Sequence, residues 1–154
     1  MHLTTYSDYS LRVLIFLATK NNQDLSNIQE IAETYDISKN HLMKIIHHLG
    51  KLGYIETIRG RNGGIRLAKS PSEINLGEII RHTEENFFIV ECFEKHNNKC
   101  VMTPVCSLKH IFRTALEQFL LVLDQYTLDS IVHENPLMKD FFGTQMKSSE
   151  TQSS

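Results

Sequence analysis

The sequence has no hydrophobic run long enough to cross a membrane. Among its 154 residues the longest uninterrupted apolar run covers only residues 13–18, whereas a membrane-spanning helix needs about 20 apolar residues. The run is also too short for a signal peptide, and no positively charged segment precedes it. We therefore expect a cytoplasmic protein without a membrane partner.

Cysteine is scarce, and the three cysteines cannot form a closed set of disulfides because their number is odd. Disulfides are also rare in the cytosol, so metal ligation, redox chemistry or simple burial suits these residues better. The sequence contains no internal repeat, nucleotide-binding fingerprint or catalytic triad, and we do not expect an enzyme. Its length fits one medium domain, or one small domain with a helical extension.

Charge is unevenly distributed along the chain, although the net charge is only −2. Residues 1–70 carry nine Lys and Arg against six Asp and Glu, whereas residues 71–154 carry seven against twelve. Between Lys39 and Lys69 there are seven basic residues and a single acidic residue, Glu56. Such a local excess of positive charge indicates an anion-binding face, and a solvated charged surface is the alternative.

The spacing of apolar residues predicts three helices in the first third of the chain. The first covers residues 5–19. The second begins at Ser26, where Gln29 completes a capping box. A short turn then leads to the third helix, which Ser38 caps and which ends near Leu52. Basic and polar side chains lie mostly off the apolar stripe of this third helix.

The apolar period changes after the third helix and predicts a β-hairpin. Residues 54–59 and 65–68 form its strands, and Asn-Gly and Gly-Gly pairs in residues 60–64 supply the positive φ values of its turn. Two short helices, a turn, a third helix and a hairpin make a winged helix-turn-helix, whose third helix enters the major groove of DNA. The predicted fold class is therefore mainly α with a small β wing.

The remainder of the chain is predicted to be mostly helix and loop. Asn75 and Glu78 form a cap for a short helix that ends near residue 83. The apolar run at residues 87–90 has no clear secondary structure, and residues 91–106 lack a clean period and are interpreted as a loop.

The longest predicted helix covers residues 107–126, and a short helix follows at residues 127–134. The longest helix has a broad apolar face that needs a partner. It could be an internal core helix, but we favour a second copy of the chain as the partner, in a two-fold homodimer. Such a dimer would place two recognition helices about 34 Å apart on a palindromic double-stranded DNA operator.

These elements divide the chain into four segments, the last of which is polar and expected to be disordered. The segments are a DNA-binding domain at residues 1–83, a cysteine-containing loop at 84–106, a dimerisation helix region at 107–135 and a tail at 143–154.

The three cysteines, Cys92, Cys100 and Cys106, have the spacing C-x7-C-x5-C and precede the longest helix. Thiolates are soft ligands that suit iron–sulfur clusters, zinc or Cu(I). A cluster normally takes four protein ligands, and the paired C-x2–4-C spacing of structural zinc sites is absent. A cluster, a zinc site and free or redox-active thiols therefore all stay open. The dipole at the start of the helix favours a thiolate at Cys106.

Several motifs together resemble those of a family of winged-helix iron–sulfur transcriptional regulators. They are the opening Leu3-Thr4-Thr5-Tyr6-Ser7-Asp8-Tyr9, the helix run Ser38-Lys39-Asn40-His41-Leu42-Met43-Lys44-Ile45-Ile46, the wing Arg59-Gly60-Arg61-Asn62-Gly63-Gly64-Ile65-Arg66-Leu67, and the step Thr103-Pro104-Val105-Cys106. The resemblance extends over nearly the whole chain to about Pro136. Within the family, the sequence looks most similar to the repressors that sense nitric oxide.

This resemblance implies a homodimer in which the three cysteines hold an iron–sulfur cluster, either [4Fe-4S] or [2Fe-2S]. It further implies that Asp8 supplies the fourth ligand from the other subunit. Some relatives instead use a histidine three residues after the last cysteine. Lys109 occupies that position here, and His110, one residue later, is a weaker candidate.

Asp8 and Arg12 also have simpler interpretations. A carboxylate in the first turn of a helix is favoured by the helix dipole whether or not it binds a metal. Arg12 lies one turn later on the same face, where it could neutralise an anionic cluster or form an intrahelical ion pair with Asp8.

The resemblance implies a repressor that releases DNA when nitric oxide nitrosylates the cluster or the cluster is lost. A regulator that senses cluster supply or oxygen is one alternative, and a zinc or thiol repressor without a cluster is another. Histidines on the basic third helix are expected to contact DNA or solvent rather than metal. The residues expected to contact DNA are Ser38, Lys39, Asn40, His41, Lys44, Arg59, Arg61 and Asn62.

Overall fold

The computed structural model describes residues 2–21 and 23–150, with side chains up to residue 144. Its elements follow the order expected of a winged helix-turn-helix and then continue into further helices. In chain order they are α1 (Thr5–Ala18), α2 (Ile28–Tyr35), α3 (Lys39–Lys51), β1 (Ile55–Ile58), β2 (Gly64–Leu67), α4 (Leu76–Thr83), α5 (Ser107–Asp124), α6 (Leu128–Val132) and α7 (Pro136–Glu150). Short 3₁₀ turns lie at Pro71–Glu73 and Glu91–Phe93.

Two of the predicted N-caps are confirmed. The Oγ of Ser38 accepts a hydrogen bond from the backbone N–H of His41 at 3.2 Å and begins α3. The Oδ1 of Asn75 accepts one from the N–H of Glu78 at 3.1 Å and begins α4. Asp36, between α2 and α3, has φ 53°, a left-handed conformation that Asp tolerates better than most residues. This local chemistry sets the turn of the helix-turn-helix.

The second helix begins differently from the prediction, and Ser26 is not its cap. The backbone of Ser26 instead pairs with Ile65 of β2 through two hydrogen bonds of 2.8 and 2.9 Å. Its buried Oγ has no hydrogen-bond partner among the described residues. Asn27 caps α2, because its Oδ1 accepts from the N–H of Gln29 at 2.9 Å. The predicted capping box is wrong because a long-range pairing with the wing uses the backbone of Ser26.

The two strands pair antiparallel as predicted, in the register Ile55–Leu67, Glu56–Arg66, Thr57–Ile65 and Ile58–Gly64. The expectation about the turn glycines is wrong in detail. Within residues 60–64, only Gly60 has a positive φ, 111°. Gly64 serves a close approach instead, because a Cβ there would lie 2.8 Å from the carbonyl oxygen of Ser26. The glycine therefore allows the segment before α2 to pair with the wing.

The hydrophobic core is built around α1, which packs against α3, α4 and α6. Fully buried side chains of this core include Leu14, Phe16, Leu42, Ile45, Leu49, Ile79 and Ile80. Full burial of one such side chain contributes about 1.5–3 kcal/mol relative to exposure. The predicted recognition helix, α3, is therefore held in the core by its inner face, and its outer face is exposed to solvent.

The chain re-enters this core after α5. Leu128 and Val132 of α6 are fully buried, and Phe142 of α7 is 5% exposed. The ring of Phe142 meets those of Phe16 and Tyr35 edge-on, at centroid distances of 5.8 and 6.1 Å. The packed core thus extends beyond the first predicted segment and includes residues from the end of the chain.

The tail was expected to be disordered from Gly143 onward, but α7 continues to Glu150. The burial of Phe142 anchors this helix, and the polar composition of the tail gives no hint of that contact. The helical assignment of residues 143–150 differs from the predicted disorder, which stays a prediction for residues 151–154 because they lie outside the described residues. Among the described helices, none is both long and apolar enough to cross a membrane.

Candidate DNA-binding surface and cysteine segment

The outer face of α3 presents polar and basic side chains to solvent. Lys39, Asn40 and Lys44 are exposed, whereas Leu42 and Ile45 on the inner face are buried. In the described part of the chain, none of these three exposed side chains takes part in an ion pair. Their donors are available for DNA phosphates and base edges, which are the acceptors that such side chains contact.

The first residues of the recognition helix are held more tightly. Ser38 uses its Oγ to cap α3, and its exposed hydroxyl retains one donor for another acceptor. The His41 ring is half-buried and lies edge-on to Tyr9 of α1, with centroids 5.3 Å apart. Both residues lie at the surface expected for DNA contact, and both also fix the helix in place.

His48 differs from the expectation that the histidines face DNA or solvent. Its Nδ1 lies 2.8 Å from the hydroxyl of Tyr6, and the two rings are in contact. Burial raises the pKa of Tyr6, so its phenol stays protonated over a wider pH range. His48 therefore joins α3 to α1, whereas His47 is exposed as expected.

The tip of the wing carries three exposed polar side chains, Arg59, Arg61 and Asn62. They follow β1 and flank Gly60, whose positive φ makes the tight turn. Guanidinium groups at such a tip can reach phosphates or the minor groove. All three wing residues that the sequence predicts to contact DNA are thus exposed.

Two of the basic residues counted in the sequence are engaged within the protein. Arg66 pairs with Glu56 across the hairpin at 2.9 Å, and the ammonium of Lys69 lies 5.3 Å from the centre of the Tyr54 ring. The single acidic residue of the segment is thereby neutralised. The basic face consequently rests on the cations of α3 and the wing tip.

The three cysteines lie in the segment between α4 and α5, and all three are free thiols of intermediate exposure. Cys92 lies in the 3₁₀ turn Glu91–Phe93, and Cys106 is the N-cap of α5. The thiol of Cys106 therefore stands where the helix dipole favours a negative charge. Cys100 lies between them, in a segment of turns.

Local hydrogen bonds shape this segment. The Nδ2 of Asn98 donates to the Oγ1 of Thr103 at 2.9 Å, and its Oδ1 accepts from the N–H of Cys100 at 3.1 Å. The carboxylate of Glu91 accepts from the N–H of Lys99. The predicted loop is thus a series of turns whose geometry is set by its own polar side chains.

The donor set of the segment fits an iron–sulfur cluster in its chemistry, because three free thiols are available and thiolates are the usual ligands. In the part of the chain that the structure describes, no three His, Cys, Asp or Glu side chains are grouped closely enough to hold a metal ion. His110, the weaker candidate for a fourth ligand, is exposed on α5.

Asp8 and Arg12 form an ion pair along α1, with 2.8 Å between Oδ2 and Nη2. The guanidinium of Arg12 also lies 5.6 Å from the Tyr9 ring centre and 5.9 Å from that of Tyr35. The Tyr35 hydroxyl donates to the carbonyl of Arg12 at 3.0 Å. Burial raises the pKa of Tyr35, although the charge of Arg12 opposes this. Within one chain, Arg12 thus adopts the intrahelical pairing.

The longest helix, α5, buries none of its residues within the chain. Leu108, Ile111 and Phe119 are 51, 61 and 38% exposed. A cavity of about 440 Å³ lies beside this helix, and its lining includes Phe87, Phe88, Leu116 and Phe119. The broad apolar face predicted from the sequence is present and is only partly covered within the single chain.

Sequence reasoning missed Glu84, which connects α4 to α1. Its Oε1 accepts from the N–H and the hydroxyl of Thr4 at 2.8 and 2.9 Å. Burial raises the pKa of Glu84, but hydrogen bonds from Ser7 and Thr4 outweigh it and hold the pKa below its usual value. These residues are 80 positions apart, so no local pattern could have linked them.

Comparison with known sequences agrees with this arrangement. The model of the Rrf2 family, described as an iron-dependent transcriptional regulator, matches residues 3–134. The chain is 64% identical over 132 residues to the HTH-type transcriptional regulator NsrR of Bacillus licheniformis, covering 86% of this chain and 92% of that protein. It is 60% identical over 140 residues to NsrR of Bacillus subtilis, covering 90 and 96%.

Solved structures show the same architecture. T. potens IscR superimposes with a TM-score of 0.70 at 24% identity, covering 87% of this chain and 88% of that one. The oxidized form of Staphylococcus aureus CymR superimposes with a TM-score of 0.69 at 28% identity, covering 86 and 96%. A winged-helix surface with free cations, a family match along most of the chain and relatives at 60% identity or more lead to one conclusion: the chain belongs to the Rrf2 family of transcriptional regulators.

Proposed function

We propose that this chain is a dimeric DNA-binding repressor that senses nitric oxide through an iron–sulfur cluster and releases a palindromic operator when the cluster is nitrosylated or lost. The observation that carries the proposal is the set of three free, half-buried thiols on the segment that leads into α5. The high identity to regulators named NsrR supports it.

Cys92, Cys100 and Cys106 would hold the cluster, with Asp8 of the partner subunit as the fourth ligand. When bound, the cluster supplies iron that reacts with nitric oxide. Asp8 suits this role because it is half-exposed and engaged in an exposed ion pair with Arg12. Such a pair contributes only about 0–1 kcal/mol. Asp8 can therefore exchange Arg12 for another partner at little cost.

The connection from Asp8 to the DNA-binding surface runs through α1. This helix packs against α3, and the Tyr6–His48 hydrogen bond joins the two near their surfaces. A bond between Asp8 and the other subunit would therefore constrain the helix that supports the recognition helix. A signal can act there only if the states with and without this bond differ in their affinity for DNA.

The second subunit is proposed to cover the exposed apolar face of α5. Monomeric proteins rarely leave large contiguous apolar patches in water, and Leu108 and Ile111 are more than half exposed. A two-fold dimer would bring the second α5 onto this face and present two α3 helices to the two halves of a palindrome.

The proposal is tested by purifying the protein without oxygen, recording its visible absorption and adding nitric oxide while following binding to palindromic DNA. We expect a coloured protein that bleaches and releases DNA together. The variant Cys100→Ser should be colourless while its far-ultraviolet circular dichroism stays that of the wild type, because Cys100 is not part of the core.

Other outcomes separate the alternatives. A colourless wild-type protein that still binds DNA would contradict the cluster and support a zinc or thiol repressor. A coloured protein that responds to cluster loss or oxygen but not to low doses of nitric oxide would support a sensor of cluster supply or oxygen. The variant Asp8→Cys tests whether Asp8 is the fourth ligand. Its control is Asp24→Cys, which makes the same replacement at an exposed position. A thiolate at position 8 would hold the cluster more firmly than a carboxylate, so we expect Asp8→Cys to be less sensitive to nitric oxide than the wild type. Equal sensitivity of the two proteins would argue against a labile carboxylate ligand.

A further inference from the structure

The C-terminal end of α5 is fastened to α4 by a two-pronged ion pair. The guanidinium of Arg81 donates to both carboxylate oxygens of Asp124, at 2.5 and 2.7 Å. These hydrogen bonds lower the pKa of Asp124 and raise that of Arg81, so both groups keep their charges over a wide pH range. The planar guanidinium and carboxylate fix a relative orientation as well as a distance.

Asn75 adds a second connection at the same place. Its Nδ2 donates to the backbone carbonyl of Asp124 at 2.7 Å, while its Oδ1 caps α4. Next to it, the N–H of Leu76 donates to the carbonyl of Tyr126 at 3.0 Å. One amide side chain thus begins α4 and ends α5.

Gly77 leaves room for the Arg81–Asp124 ion pair. A Cβ at this position would overlap the Oδ1 of Asp124 and come within 2.8 Å of the Nη1 of Arg81. Gly77 is buried and has no positive φ, so its backbone conformation does not require glycine. Its lack of a side chain therefore serves the ion pair that joins the two helices.

Among the described residues, the remainder of α5 makes no ion pair or side-chain hydrogen bond to another element. None of its residues is buried, and its 18 residues span about 27 Å at 1.5 Å per residue. Cys106 caps the far end. The helix therefore extends as an arm that is fixed at Asp124 and carries the cysteine segment at its other end.

The other end of α4 is bound as well. Glu84, the C-cap of α4, accepts two hydrogen bonds from Thr4 at the start of α1. The short helix α4 consequently lies between the base of α5 and the helix that supports the recognition helix. A change in the angle of α5 would therefore be transmitted to the DNA-binding domain through α4.

We propose that Asn75, Gly77, Arg81 and Asp124, which together we name the α4–α5 clamp, are positioning residues that set the separation of the two recognition helices in the dimer. The clamp fixes the angle between α5 and the winged-helix domain. Because the dimer is built on α5, that angle decides the distance between the two half-sites of the operator. The inference rests on the proposed dimeric repressor and adds a determinant of its DNA specificity.

The test is a selection with a DNA pool in which two randomised half-sites form inverted repeats separated by spacers that differ by single base pairs. We expect the wild-type dimer to enrich one spacer length. Gly77→Ala should broaden or shift the enriched spacer and weaken binding at the wild-type spacer by roughly tenfold, a difference of about 1.4 kcal/mol. The enriched half-site sequence should stay the same, since α3 and the wing are untouched.

Asp124→Asn provides a second variant, because it removes a charge without adding volume. Matched controls are Gly143→Ala, where an added Cβ meets nothing within 4 Å, and Glu117→Gln on the exposed surface of α5. Both controls should keep the wild-type spacer. Light scattering and thermal unfolding show whether each variant remains a folded dimer.

The outcomes distinguish the clamp from the proposed function. If folded dimers of Gly77→Ala and Asp124→Asn both enrich the wild-type spacer with wild-type affinity, the clamp proposal is overturned. If Gly77→Ala does not fold, Asp124→Asn alone decides. If the wild-type protein enriches no inverted repeat, the dimeric repressor itself is contradicted, and the positioning role falls with it.

Discussion

Residues 5–83 and residues 84–127 handle their apolar side chains in different ways. In the first region α1 buries five apolar side chains among its 14 residues, whereas in the second no residue is buried and the apolar face of α5 stays partly exposed. Both helices have the helical spacing of apolar residues that calls for a partner. The difference teaches that an amphipathic pattern predicts a buried face but not which chain will bury it.

The same contrast applies to polar groups. In the first region, the hydrogen bond between Tyr6 and His48 connects helices that are distant in the sequence. In the second, the hydrogen bonds of Asn98 and Glu91 stay within the cysteine segment. The winged-helix domain is therefore fixed by long-range contacts. Apart from Glu84 at its start, the described side chains of the cysteine segment form hydrogen bonds within the segment, which suits a region that must accept ligands or a second subunit.

The largest expected effect comes from charging the apolar face of α5. We expect Ile111→Glu to prevent dimer formation and to weaken binding to the palindromic operator by at least roughly 100-fold, because each buried charge would lose its hydration. The measurements are light scattering and DNA titration. Thr114→Glu, which places the same charge on an exposed residue of the same helix, is the control. A dimer of normal affinity in Ile111→Glu would contradict the role of α5.

The next effect concerns the packed region. Leu42 is fully buried, so Leu42→Ala should lower the free energy of unfolding by about 2–5 kcal/mol. Leu137 on α7 is 76% exposed, and Leu137→Ala should change the free energy of unfolding by less than about 0.5 kcal/mol. Denaturant titration of both variants measures the difference. Equal changes in the two variants would contradict the burial of Leu42 and the exposure of Leu137.

A smaller effect is expected when a free cation is compared with a paired one. Lys44→Gln should weaken operator binding and reduce the slope of log affinity against log salt by about one, since it removes one phosphate contact. Arg66→Gln should change the slope less, because Arg66 is already paired with Glu56. Titrations at several salt concentrations check this. A larger change in slope for Arg66→Gln than for Lys44→Gln would contradict the assignment of the DNA-binding face to the unpaired cations.

The smallest effect concerns acid. The pKa of Glu84 is below its usual value because hydrogen bonds outweigh its burial. Its stabilising contribution is therefore complete above the ordinary carboxyl pKa, near 4.3, and is lost as the pH falls through the lowered value. We expect Glu84→Gln to lower the free energy of unfolding by less than about 1 kcal/mol at neutral pH, and to leave it unchanged in strong acid. Unfolding curves against pH, with Glu85→Gln as control, would show a constant difference if this assignment is wrong.

Much of the fold could be predicted from the sequence. The positions of α1, α3 and α4, the caps Ser38 and Asn75, and the hairpin were predicted because each depends on residues a few positions apart. The exposed cations of α3 and the wing were predicted for the same reason. Charge and helical spacing together indicate which face of a helix turns outward.

The contacts between distant residues could not be predicted in this way. The pairing of Ser26 with Ile65 displaces the expected cap, and Phe142 packs against Phe16 although it lies far beyond the predicted DNA-binding domain of residues 1–83. The Arg81–Asp124 pair joins residues 43 positions apart. No periodicity links such residues, because their distance depends on how the helices pack.

The sequence by itself therefore determined the elements, the basic face, the cysteine donors and the apolar face of α5. Only the tertiary structure decided which of these are used within the chain. It buries one face of α1 and α3, joins α4 to both α1 and α5, and leaves the apolar face of α5 partly exposed. The physical reason is that hydrogen bonds in caps and turns act between neighbours, whereas burial and close approach depend on the packing of the whole chain.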